Sequence, residues 1–179
     1  MADVTTKAEL ITLLDNSNQW VIRWFMEIPA EHFFMRRGEA WSAADNVDHL
    51  IKAHTPIAKA LKLPKSILRS MFGKLANASM SYEALCQIYR DAIARGAQAS
   101  GPYLPTQEDP ASRGETVKRR LLDQFAKASA ELVSVVDKWD GKELDEYLLP
   151  HPILGKLSLR EMIFFTIYHN LRHASREGD

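Results

Sequence analysis

The strongest constraint on the fold is a set of four long stretches in which apolar residues recur at the 3.6-residue period of an α-helix. Each stretch places its apolar side chains on one face, and that face has to be buried against another element. Together they predict an all-α protein built as a four-helix bundle. The first stretch covers residues 10–28 and ends at Pro29. The others cover residues 47–61, residues 115–139, and a last stretch that begins at residue 159 and runs close to the C-terminus.

Three of these predicted helices have a start signal in the sequence. A Ser or Thr is followed three residues later by an acidic residue, the spacing of a capping box in which each side chain satisfies the other's backbone N–H. The pairs are Thr6 with Glu9, Ser42 with Asp45, and Ser158 with Glu161. These positions predict where the first, second and last long helices begin.

Between the second and third long helices lies an insertion at residues 63–112. It predicts one short and one longer helix between Lys65 and Gly96, followed by a loop at residues 98–114 with three prolines and two glycines. No stretch alternates apolar and polar residues for long enough to predict a β-strand. We therefore expect a single domain over residues 1–179, a four-helix bundle with a helical insertion.

Charge and cysteine content narrow the partners and the compartment. Lys plus Arg equals Asp plus Glu, 23 each, so no net charge favours nucleic acid or an anionic membrane. Cys86 is the only cysteine, which excludes an intrachain disulfide and fits a reducing cytosol. Residues 1–12 lack the pattern of a signal peptide, and the longest apolar run, residues 162–168, is too short to span a bilayer. We expect a cytoplasmic protein.

The sharpest local signal is the pair His169 and His173. Residues four apart lie one above the other on a helix, so both imidazoles can reach one metal ion. Met162, Phe165 and Thr166 share this face, so the pair is expected to point inward. Buried imidazoles need partners. A metal ion would supply them, and so would hydrogen bonds to backbone or carboxylate groups.

A metal site needs a third ligand, and the second long helix offers His49 and His54. His54 lies in the middle of the apolar stripe, so a helical wheel favours it as the inward histidine. His49 lies on the flank of the stripe. The small residues on that flank would permit another helix to approach closely; they are Ala53, Pro56 and Ala60.

Three motifs in combination resemble the DinB-like superfamily, which includes the YfiT-like metal-dependent hydrolases. They are Trp-Ser at 41–42 followed by His-Leu at 49–50, the HPxxGxLS segment at 151–158, and HxxxH at 169–173. The resemblance covers nearly the whole chain. It implies a bacterial protein with a four-helix bundle and one divalent metal held by three histidines. One ligand follows the tryptophan by eight residues and two come from HxxxH, which implies His49, His169 and His173.

Three neutral imidazoles leave the charge of the metal uncompensated and leave coordination positions open, as in catalytic sites. A bound water or thiol then has a lowered pKa. The resemblance implies hydrolysis, or transfer of a low-molecular-weight thiol to a small-molecule substrate. Zinc or nickel is the first expectation for the metal, with iron and manganese as alternatives. A non-catalytic metal-binding or stress-response protein is the alternative function, and a hydrogen-bonded histidine core without metal is the third.

Other polar residues receive structural interpretations. Asp45 is expected to close its capping box rather than to orient His49. His54 is expected to be a hydrogen-bonded core residue, and His151 to support a turn rather than to line the mouth of a pocket. Glu161 is expected to be a solvated first-turn acid rather than a general base.

The last helix is apolar nearly all round, which a helix at the corner of a bundle would not be. We expect either the insertion or a second subunit to cover it, and we expect a homodimer.

Overall fold

The computed structural model describes residues 6–75, 78–106 and 114–175, and these are mostly helical. The prediction of an all-α fold is confirmed. In the described residues the α-helices are α1 (Lys7–Met26), α2 (Ala30–Phe33), α3 (Ala43–Leu61), α4 (Lys65–Phe72), α5 (Tyr82–Ala94), α6 (Glu115–Val136), α7 (Gly141–Glu146) and α8 (Leu159–His173). A single-turn 3-10 helix, Gly101–Tyr103, lies in the loop after α5. The four long helices of the prediction are α1, α3, α6 and α8, and the insertion contributes α4 and α5.

All three predicted capping boxes are present. In each, the Ser or Thr side chain accepts the backbone N–H of the acidic residue, whose carboxylate accepts the N–H of the cap. The boxes begin α1 at Thr6, α3 at Ser42 and α8 at Ser158. Because Trp41 immediately precedes the second box, the start of α3 also sets the position of this tryptophan.

The bundle is built from α3 packed on α6, and α1 packed on both α6 and α8. One end of the core holds an aromatic group in which Phe25 meets Phe33 edge to face, with ring centroids 6.4 Å apart. A second, mostly aliphatic part of the core is formed by residues of α1, α3, α5, α6 and α8. The apolar stripes read from the sequence are therefore the faces that meet in the core.

The insertion covers α8. Tyr82 of α5 packs against Phe164 with ring centroids 5.7 Å apart, and Tyr89 packs against Phe165 at 5.1 Å. The helices α1, α5 and α7 and a short hairpin all contact α8, which explains why this helix is apolar nearly all round. Elements of the same chain therefore cover α8 without a second subunit, and the homodimer stays a prediction.

The hairpin was not predicted. It consists of β1 (Leu148–His151) and β2 (Gly155–Ser158), paired antiparallel from Leu148 with Ser158 to His151 with Gly155. Gly155 has φ of 78°, a conformation that favours glycine at the end of such a turn. Four residues per strand are too few for a period-2 pattern to be recognised. The sequence therefore indicated a turn in this segment but not the two strands beside it.

In the ranges that the structure describes, no helix combines the length and apolar character needed to cross a bilayer.

Candidate metal centre

Three histidines from two helices meet inside the protein. His49 lies on α3, and His169 and His173 lie one turn apart on α8. The Nε2 atom of His169 is 3.0 Å from Nε2 of His49 and 3.1 Å from Nε2 of His173. All three side chains are buried, and each offers a ligand atom within 4.8 Å of the others. The structure thus brings together the residues that the resemblance implied.

Hydrogen bonds to the other ring nitrogen orient two of these imidazoles. Nδ1–H of His49 donates to the backbone carbonyl of Tyr103 at 2.7 Å. Nδ1–H of His173 donates to Oδ1 of Asn46 at 2.5 Å, and the amide of Asn46 is oriented by donating to the Ser42 carbonyl at 2.9 Å. Since Nδ1 carries the hydrogen in both rings, both Nε2 lone pairs face the centre of the cluster.

Aromatic rings fix the planes of the imidazoles. Phe165, one turn before His169 on α8, stacks on it with ring centroids 4.9 Å apart and planes 25° apart. Trp41 stacks on His173 at 6.1 Å and 16°, and its centroid is 4.9 Å from that of His49. In the sequence, Trp41 served only as part of the Trp-Ser motif, and the structure adds its contact with two histidines of the cluster.

Burial keeps the cluster uncharged. Desolvation lowers the pKa of His49, and it lowers the pKa of His169 and His173 well below the usual value of 6.5. For His169 the neighbouring His173 and His49 lower the pKa further, because three cations would repel one another. Neutral imidazole is the form that binds a metal ion.

The donor set fits a divalent cation better than a hydrogen-bonded core. Without a metal, the Nε2 atoms of His49 and His173 both need a hydrogen-bond donor, and His169 can offer only one Nε2–H. That hydrogen can point well at only one of the two lone pairs, so the other lone pair stays unsatisfied. Two ligands at 2.0–2.1 Å from a tetrahedral metal lie about 3.3 Å apart, close to the spacing found here. Among the residues the structure describes, no fourth His, Cys, Asp or Glu joins the cluster.

A cavity of about 270 Å³ opens beside the cluster, with His49 and His169 on its wall. The small residues on the flank of α3 line this cavity, so they leave room there beside His49. They are Ala53, Pro56 and Ala60. A second space, of about 420 Å³, reaches His49 and His173 from the side of Glu39 and Arg172. The cluster can therefore be approached from an apolar side and from a charged side.

His54, the histidine favoured by the helical wheel, lies outside the cluster. It is fully buried, its Nδ1 donates to the Leu50 carbonyl at 2.8 Å, and its Nε2 lies 3.3 Å from Oδ1 of Asn18. Its ring packs edge to face on Phe125 of α6. The expectation of a hydrogen-bonded core residue is confirmed, and the preference of the helical wheel for an inward metal ligand here is wrong.

The acidic candidates are structural. Asp45 closes its capping box with Ser42, as expected, and it also pairs with Arg36 at 2.7 Å. Glu161 is buried, not solvated as expected, because its carboxylate accepts the N–H groups of Ser158 and Met80, both at 2.7 Å. Both oxygens of Glu161 are thereby engaged at the start of α8, so it joins the insertion to the last helix.

His151 combines both interpretations weighed from the sequence. Its Nδ1 accepts the backbone N–H groups of Ile153 and Leu154, which supports the turn of the hairpin. The same side chain lines the cavity beside the cluster.

Sequence reasoning missed the two residues that orient the histidines. Asn46 had a usable signal, since it lies three residues before His49 and therefore on a neighbouring part of the same helix surface. Tyr103 had none, because it contributes a backbone carbonyl from a proline-containing loop.

The fold and the site define a class: an all-α bundle with a buried three-histidine cluster that can hold a divalent metal. A family model described as the DinB superfamily matches residues 14–175. The chain belongs to the DinB superfamily. No curated protein and no solved structure matches this chain.

Proposed function

We propose that this chain is a metal-dependent enzyme that binds one divalent cation through Nε2 of His49, His169 and His173 and acts on a small molecule. The reaction is hydrolysis or transfer of a low-molecular-weight thiol. The observation that carries the proposal is the convergence of three neutral Nε2 atoms beside a cavity whose wall includes His49 and His169, with no fourth His, Cys, Asp or Glu ligand in the described ranges.

Different residues of the chain orient the three imidazoles. Asn46 and the Tyr103 carbonyl hold the imidazole tautomers, and the Trp41 and Phe165 rings hold their planes. A divalent cation at this point supplies Lewis acidity, which favours deprotonation of a water molecule or a thiol near neutral pH.

One observation supports thiol transfer over hydrolysis. Transfer joins two organic reactants, whereas hydrolysis needs one plus water. The apolar cavity and the charged space both include His49, so two reactants can approach the same point from different sides. Arg172 borders the charged space and suits a thiol that carries a carboxylate. Zinc and nickel are the first cations to test, and iron and manganese follow.

The first test is metal content by mass spectrometry of protein purified without a metal-affinity column. We expect about one divalent ion per chain in the wild type, lost in His49→Ala and in His169→Ala and kept in His54→Ala. The last variant is the matched control, since it removes a buried histidine of α3 that lies outside the cluster. Absence of metal from the wild type, even after reconstitution with zinc, nickel, iron or manganese, would refute the proposal.

The second test is turnover by the metal-loaded protein. 4-Nitrophenyl acetate reports hydrolysis, and 1-chloro-2,4-dinitrobenzene with free cysteine reports thiol transfer. We expect one of these activities, and its loss in His169→Ala. Full metal content with no turnover on these or related substrates would favour the non-catalytic metal-binding function instead.

A further inference from the structure

The apolar cavity has uncharged walls. Its described lining residues include no Lys, Arg, Asp or Glu; most are aliphatic or aromatic, and the polar ones are amides, hydroxyls and histidines. Its volume of about 270 Å³ lies just below the usual range for ligand pockets, roughly 300–1,000 Å³. A carboxylate or phosphate would lose its hydration there without a countercharge from these walls. The cavity therefore suits a small uncharged molecule.

His151 lines this cavity and carries a hydrogen-bond donor of fixed direction. Its Nδ1 accepts the backbone N–H of Ile153 at 3.2 Å and of Leu154 at 3.1 Å, so the lone pair is on Nδ1 and the hydrogen is on Nε2. Phe165 contacts the ring edge to face, with centroids 4.2 Å apart, and fixes its plane. Hydroxyl groups elsewhere on the walls can rotate, whereas this N–H cannot.

The Nε2–H of His151 is without a partner in the part of the chain that is described. It is nevertheless not among the polar atoms sealed from solvent, unlike Nδ1 of His169. Burial lowers the pKa of His151 to about 4, so the ring stays neutral and keeps one donor at neutral pH. Phe165 contacts both His151 and His169, so this residue links His151 to the cluster.

We propose that the cavity binds a small uncharged molecule whose hydrogen-bond acceptor is held by Nε2–H of His151, with the reactive group of that molecule directed to the three-histidine cluster. The second clause rests on the proposed function, and the first does not. His151 is a positioning residue, since it anchors the molecule at a wall separate from the metal ligands.

The test uses three probes of similar shape: acetophenone, which is neutral and has an acceptor; α-methylstyrene, which is neutral and lacks one; and benzoate, which is charged. Each is titrated into the full chain freed of metal by chelation, and NMR shifts of the cavity-lining amides give Kd. The variant is His151→Asn, because Asn Oδ1 takes the place of Nδ1 at the turn but has nothing at Nε2.

We expect acetophenone to bind the wild type more tightly than the other two probes do. Its affinity should fall about five- to tenfold in His151→Asn, the effect of one neutral hydrogen bond, while that of α-methylstyrene should not change. We also expect the imidazole ¹⁵N signals of the wild type to show the hydrogen of His151 on Nε2.

Three outcomes would overturn the assignment: equal affinity of acetophenone for both proteins, tighter binding of benzoate than of acetophenone, or no binding of any probe. Because the titrations exclude metal, they succeed or fail separately from the metal analysis that tests the proposed function. Metal content of His151→Asn, expected to equal that of the wild type, confirms that the cluster is intact in the variant.

Discussion

Asn46 on α3 and His173 on α8 are joined by a hydrogen bond of 2.5 Å between Oδ1 and Nδ1, although 127 residues separate them in sequence. The amide of Asn46 cannot turn away freely, since its nitrogen donates to the carbonyl of Ser42 at the cap of the same helix. The start of α3 thus sets which nitrogen of His173 faces the cluster. The residues that begin α3 therefore also orient a candidate metal ligand on α8.

Replacement of Asn46 should weaken metal binding without removing a ligand. In Asn46→Ala the Nδ1–H of His173 loses its acceptor, and we expect the Kd for zinc to rise about 10- to 100-fold. Asn46→Asp keeps an oxygen at this position and should bind zinc much more tightly than the alanine variant. Competition with a chromophoric chelator measures both values. Equal Kd for the alanine variant and the wild type would show that this contact does not orient the ligand.

Trp41 should report occupancy of the site by fluorescence. Its ring centroid is 4.9 Å from that of His49 and 6.1 Å from that of His173, so a cation between the imidazoles changes its immediate surroundings. We expect zinc to change tryptophan emission in the wild type and in Trp139→Phe, but not in Trp41→Phe. Trp139 is a suitable control because it is buried away from the cluster, against Tyr147. A zinc-dependent change that persists in Trp41→Phe would contradict this assignment.

Stability of the metal-free chain should fall on acidification below pH 6.5. Burial lowers the pKa of His54 to about 4, so between pH 6.5 and 4 the unfolded chain binds a proton at this residue that the folded chain does not. The free energy of unfolding should then decrease by about 1.4 kcal/mol per pH unit for each such histidine. Above pH 6.5 this contribution is constant.

The variant His54→Gln isolates one of these protons. Urea unfolding at pH 7, 6 and 5 should give it a shallower pH dependence than the wild type, by about one proton, whatever its stability at pH 7. Identical slopes for wild type and His54→Gln would mean that His54 titrates normally in the folded protein.

Glu161 should matter for stability and not for the metal. In Glu161→Gln the side chain can no longer accept both the Ser158 and Met80 N–H groups, and we expect a loss of about 1–3 kcal/mol in the free energy of unfolding. Metal content should stay at the wild-type value. Glu9→Gln changes the same position of the exposed capping box of α1 and should cost less than about 1 kcal/mol. Loss of metal in Glu161→Gln would contradict the purely structural role and show that Glu161 contributes to the metal site.

Local regularities made much of the fold predictable. The stripe of α3 and its cap at Ser42 depend on residues within a few positions of one another, so the chain itself encodes them. The relation of His169 to His173 is equally local, because any helix places residues four apart on one face. The hairpin at His151 was missed because its strands are short and their burial depends on α8 and α4.

Local periodicity alone could not select His49 over His54 as the third histidine of the cluster. A helical wheel finds the face of α3 that is most apolar, and that face does meet the core around Phe125, where His54 lies. It does not show what covers the flank. The loop that carries Tyr103 reaches His49 from 54 residues away, and α8 brings His169 from 120 residues away.

By itself, then, the sequence determined the four long helices, the starts of three of them, the inward histidine pair and, through family resemblance, the identity of the third histidine. Only the tertiary structure decided that Asn46 and the Tyr103 carbonyl orient the ring nitrogens, that Glu161 is buried, and that His151 faces a cavity next to the cluster. The physical reason is that periodicity reports how much of each face is buried. Periodicity does not show which groups cover a given face. Those groups come from distant segments of the chain, and the packing of the whole chain determines which of them meet.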